Sequence, residues 1–77
     1  MFFKKKDLDI QIFSAIRDRK NGEVIDVAVR RHCITSISNS NPSADEITIS
    51  TGQVFVVKLA KDQTFDRVVN WWKTGTI

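Results

Sequence analysis

Apolar and polar positions alternate along most of this chain, and only the C-terminal end switches to a helical period. Val24-Ile25-Asp26-Val27-Ala28-Val29 sets Ile25, Val27 and Val29 on one face and Asp26 on the other, the two-residue period of a strand. Asn21-Gly22 precedes it, a dipeptide suited to a hairpin because both residues tolerate positive φ. Ile47 and Ile49 alternate with Thr48 and Ser50, Thr51-Gly52 supplies a second turn, and Val54–Val57 follows as a β-branched and aromatic run. Between the hairpins Cys33–Ser38 alternates as a short strand. Asn39–Glu46 reads as a loop around Pro42.

At the C-terminal end Phe65, Val68, Val69 and Trp72 fall at i, i+3, i+4 and i+7, one helical stripe. Thr64 or Asp62 can cap its start, and Gly75 can end it. Trp71 then points roughly 100° away from Trp72, so the two indoles cannot share a face. Leu8–Lys20 admits two readings. Ile10, Ile12 and Ile16 share strand parity, while Leu8, Ile12, Ala15 and Ile16 also form a helical stripe. β-Branched content and the Asn-Gly signal favour strand, giving the order β-β-β-β-β-α, with α-β-β-β-β-α as the alternative. The expected fold class is α+β: a small antiparallel β-sheet or partly open barrel of about five strands with one C-terminal α-helix. Residues 1–77 form one domain, with 1–8 a basic arm and 39–46 a loop.

Size and composition narrow the function. A chain of 77 residues buries only about 60% of its unfolded surface, so its core is small and self-association is one way to enlarge it. Cys33 is the only cysteine, which rules out an intrachain disulfide, and with the single His32 it supplies too few ligands for zinc. An unpaired thiol suits a reducing compartment, so a cytoplasmic location is expected. Apolar runs are far shorter than the ~20 residues of a membrane span. In Met1-Phe2-Phe3-Lys4-Lys5-Lys6 the charges follow a brief apolar run, the reverse of a signal peptide.

Enzymatic chemistry is not expected. Glycine occurs only at positions 22, 52 and 75, which leaves no phosphate-cradling loop. His32 and Cys33 would point to opposite faces of a strand, and Cys33 reads as a small core residue. Asp62 and Asp66 read as partners of the helix dipole rather than a carboxylate pair. No cofactor or metal is expected.

Binding remains. Net charge is +3 with a pI near 9.4, enough for weak attraction to acidic partners. Lys4–Lys6 beside Phe2-Phe3 reads as a solvated terminus or a phosphate-binding arm. Arg17, Arg19, Arg30, Arg31 and Lys58 would provide an anion or nucleic-acid site if the hairpin gathers them at one end of the sheet. Against nucleic acid stands the lack of aromatics interleaved with the basic residues. The expectation placed first is a non-enzymatic accessory or regulatory protein, bacterial or phage-encoded, that binds another protein or a second copy of itself. Trp71, Trp72 and Arg67 on the helix are its candidate contacts, since tryptophan and arginine are enriched at binding hot spots.

Arg19-Lys20-Asn21-Gly22-Glu23, Ile34-Thr35-Ser36-Ile37, Ile47–Lys58 and Phe65-Asp66-Arg67-Val68-Val69 occur in an order that resembles the small FlbD-type flagellar and swarming-motility proteins. Those have a strand, an N-G turn, a strand, a short isoleucine-bearing strand, an I-T-x-T-x-G-x-x-[FY]-V-V hairpin and a terminal helix. The N-terminal extension, Arg30-Arg31-His32 and the Trp71-Trp72 end depart from that pattern. The resemblance, over residues 16–72, implies a non-catalytic accessory protein that acts through protein contacts and carries over no catalytic residue.

Overall fold

The computed structural model describes residues 8–76, so the Phe2–Lys6 arm lies outside the described residues. Five antiparallel strands form one open sheet: β1 (Ile10–Asp18), β2 (Glu23–Arg30), β3 (Ser36–Asn41), β4 (Glu46–Ser50) and β5 (Val54–Lys58), followed by one helix, α1 (Phe65–Thr74). The class is α+β, as the hydrophobic periods imply. Within Leu8–Lys20 the strand reading holds, over Ile10–Asp18. The order β2-β1-β5-β4-β3 keeps sequential hairpins together and brings β1 beside β5, leaving β2 and β3 as the two edges.

One face of the sheet carries Phe13, Ala15, Val29, Ile47, Ile49 and Val57, all buried, and α1 packs Val68 and Trp71 onto it. In β2 the expected face is correct, but burial fades along it: Val29 is buried, Val27 partly covered and Ile25 exposed. The helix begins as expected, with the Thr64 hydroxyl accepting from the Arg67 N–H at 3.2 Å. It ends at Gly75, whose φ of 78° is the left-handed conformation of a C-terminal cap.

Four local expectations need correction. The first hairpin does not turn on Asn21-Gly22 alone, because strand pairing stops at Asp18 and resumes at Glu23. The Asp18 carboxylate bridges the connection, accepting from the Lys20 N–H at 3.0 Å and the Asn21 side-chain amide at 2.9 Å. Only Gly22 there takes positive φ, at 65°. Second, Arg31–Cys33 is a single 3₁₀ turn rather than the start of a strand. The turn breaks the alternation, so Ile34 enters the core while both His32 and Cys33 are exposed, and Cys33 is not a core residue. Third, Asn39, Ser40 and Asn41 belong to β3, which shortens the loop to a 3₁₀ turn at Pro42–Ala44 and a left-handed Asp45 with φ of 55°. An edge strand needs backbone partners on one side only, so Ser- and Asn-rich sequence can form it with Ile37 as its one inward anchor. Fourth, the helix is rotated from the expected phase, and Trp71 rather than Trp72 occupies its buried centre.

Candidate protein-binding surface

Trp71 is fully buried. Its ring meets Phe13 edge-on, centroids 5.9 Å apart, and its indole N–H donates to the Leu8 carbonyl at 2.6 Å. The Leu8 N–H in turn donates to Gly75 O at 2.7 Å, which ties the entry of β1 to the end of the helix. Trp71 is thus a core residue with its one donor satisfied, not a contact surface. Trp72 is partly covered against the same core. Arg67 is exposed near the helix start, where it donates to Asp62 O at 3.4 Å. Arg67 and Trp72, five residues apart, project roughly 140° from one another and form no common patch.

The hairpin does not gather the basic residues either. Arg17 and Arg19 flank the turn, whereas Arg30 and Arg31 lie at the other end of β2, roughly 20 Å away along the strand. Each is engaged. Arg17 pairs with Glu23 at 3.4 Å, Arg19 with Glu46 at 3.3 Å and Arg30 with Asp9 at 3.5 Å. His32 lies 3.6 Å from the same Asp9 carboxylate. Arg31 donates to the Trp72 carbonyl at 3.0 Å, placing a cation where the helix dipole is negative. Lys58 stands on the outward face opposite Glu46 in the β4–β5 register.

That outward face carries a surface the sequence reading did not assign. Register places Ile16 beside Val24, Ser14 beside Asp26, Ile12 beside Ala28 and Ile10 beside Arg30, all facing away from α1. Ser14 opposite Lys58 aligns β5 with them, so Val54 and Val56 share the face. Ile12 is 62% exposed, Val54 70%, Ile10 48% and Val24 46%. The β3–β4 half of the same face is hydroxylic instead: Ser36, Ser38, Thr48 and Ser50 line it, and Thr48 bonds Ser40 at 2.9 Å. Apolar side chains left in water therefore concentrate on the β1–β2 half and the start of β5. Between the halves a cleft of about 290 Å³ is lined by Ile16, Arg19, Val24, Glu46 and Lys58. The Glu46 carboxylate in it is nearly covered and held by the Arg19 guanidinium.

The shared parity of Ile10, Ile12 and Ile16 was visible in the sequence. What was not visible is that Phe13 and Ala15, on the opposite parity, would be the pair facing the helix. No described helix is long and apolar enough to cross a membrane, and no group of three or more His, Cys, Asp or Glu side chains is gathered among the described residues. Compared with family models, curated proteins and solved structures, the chain matches none.

Proposed function

We propose that the chain is a non-enzymatic accessory or regulatory protein that acts by binding another protein through the outward β1–β2 face. The observation that supports this is the exposure of Ile10 and Ile12 at one end of the outward face and of Val24, paired with Ile16, at the other, while α1 shields the opposite face. Isolated exposed apolar residues are ordinary, but several neighbouring ones on a small domain mark interaction sites. The FlbD-type resemblance points to the same accessory role. The contacts proposed are Ile10, Ile12, Ile16, Ala28 and Val24. Trp71 has no direct part in them.

The test is quantitative capture from the native host, comparing the unmodified chain with Ile12→Asp. Ile12 lies outside the core, so the variant should keep its unfolding midpoint while the captured partner is lost. Undiminished capture by a folded Ile12→Asp would overturn the assignment of this face.

A further inference from the structure

The sheet has two edges, and they are built differently. β3 is polar apart from Ile37, its pairing with β4 is irregular between Ser38 and Asn41, and Pro42 follows it. These are recognised devices against strand addition. β2 is less protected: it is eight residues long, its one irregularity lies at the Glu23 end, it keeps continuous register with β1 from Val24 to Arg30, and it contains no proline, lysine or glycine. Exposed apolar side chains stand on both of its faces, Val24 at 46% and Ile25 at 41%, beside the charged Glu23, Asp26 and Arg30.

The hydrogen-bond phase of that edge can be read off. The Arg31 N–H donates to Asp9 O at 2.9 Å, one step beyond the Ile10–Arg30 register. Bonded pairs recur at every second residue of an antiparallel ladder, so Ile25, Val27 and Val29 turn their backbone groups toward β1. The Ile12 carbonyl, which accepts from Gln63 on the far side of β1 at 3.2 Å, has the matching phase. Val24, Asp26, Ala28 and Arg30 therefore turn their N–H and C=O groups to the open edge.

We propose that two copies of this chain pair antiparallel along β2, with Val27 on the twofold axis. A twofold axis perpendicular to the sheet keeps each face continuous, so the centre must fall on a residue. Centred on Asp26, the pairing sets two carboxylates opposite each other, which is repulsive. Centred on Ala28, it leaves the Val24 backbone unpaired. Centred on Val27, it satisfies all four outward residues: Val24 meets Arg30 of the second copy, and Asp26 meets Ala28. On the helix side Ile25 then covers Val29 of the second copy, and the two Val27 side chains meet at a non-hydrogen-bonded position, where strands approach most closely. Asp26 has Arg30 of the second copy on one diagonal and Asp26 of the second copy on the other, so an opposite charge offsets the like one, which is farther away than in the Asp26-centred register. Val24 of the second copy arrives beside an open cleft of about 340 Å³ lined by Ile10, Ala28, Arg30, Cys33 and Phe55. The small core of a chain this size gives the added burial a further role in stability. The pairing borders the face proposed above and shares Val24 and Ala28 with it, but it does not use Ile12, so Ile12 separates the two readings.

Sedimentation equilibrium of the full chain, from low micromolar to millimolar concentration, should show monomer converting to dimer. Ala28→Pro removes an N–H that points away from β1, so the fold should persist while dimerisation weakens at least about tenfold. Register is tested separately. In a Cys33→Ser background, Val27→Cys should oxidise to a covalent dimer, whereas Ile25→Cys, which faces Val29 of the second copy, should not. A chain monomeric at every concentration, a folded Ala28→Pro that still dimerises, or cross-linking as efficient at 25 as at 27 would each overturn the proposal. If Ala28→Pro does not fold, the cross-linking pair decides alone. Ile12→Asp should leave dimerisation intact, so loss of partner capture in that variant reports on the outward face and not on the edge.

Discussion

At Trp71 two demands of the fold meet in one side chain: the ring fills the centre of the core, and its N–H fixes the Leu8 carbonyl at the entry to β1. Trp71→Ala should therefore cost about 3–5 kcal/mol, comparable to the whole stability of so small a domain, and abolish cooperative urea unfolding. Trp72→Ala should cost clearly less and leave a measurable transition, because that ring is only partly covered. The sequence permitted either phase. Phe65, Val68, Val69 and Trp72 make the longer stripe, and nothing in it shows that Leu8 would offer an acceptor to the neighbouring indole. A second contrast lies among the arginines. Arg17 and its partner Glu23 are both well exposed, so Arg17→Ala should change stability by less than about 0.5 kcal/mol. Arg19 holds a Glu46 carboxylate whose side chain is only 9% exposed, so Arg19→Ala should cost about 1–2 kcal/mol by leaving it without its partner. Equal unfolding midpoints for the two variants would show that Glu46 is satisfied without Arg19.

Among the elements, those that were legible carry strong side-chain periods. Ile47 and Ile49 alternate against Thr48 and Ser50, Val57 continues their buried face, and Thr64 and Gly75 bracket α1 as caps. β3 was legible only in part, because a strand held chiefly by backbone bonds to one neighbour leaves little trace in its side chains. The β1–β2 connection was misread because its organising residue is Asp18, outside the Asn-Gly pair. The two hairpin and cap glycines give a test at this scale. Gly52 adopts φ of 101° with open space around it, so Gly52→Val should cost about 1–2 kcal/mol from backbone conformation alone. At Gly75 an added Cβ would also lie 2.9 Å from the Arg31 Nε, and Arg31 is held by its bond to Trp72 O. Gly75→Ala should consequently lower the thermal midpoint more than Gly52→Ala, and an equal effect would show that Arg31 moves aside freely.

Across the whole molecule the sheet is asymmetric, with one face shielded by a helix, one face half hydroxylic and half apolar, and one edge blunted while the other stands open. The alternation of each strand was readable residue by residue. The asymmetry was not, because it depends on which strands become neighbours, and only β1 lying beside β5 makes β2 an edge. This arrangement sets a pattern for amide hydrogen exchange. The Ile25, Val27 and Val29 amides are bonded to β1 and should exchange slowly at any protein concentration. Those of Val24, Asp26, Ala28 and Arg30 face outward and should exchange near the unprotected rate in dilute solution. Raising the concentration should slow this second set alone, and Ala28→Pro should restore its fast exchange at the remaining positions. Uniform protection along β2 in dilute protein would mean that the edge is already covered within one chain, whereas alternation that persists at high concentration would mean that nothing pairs with it.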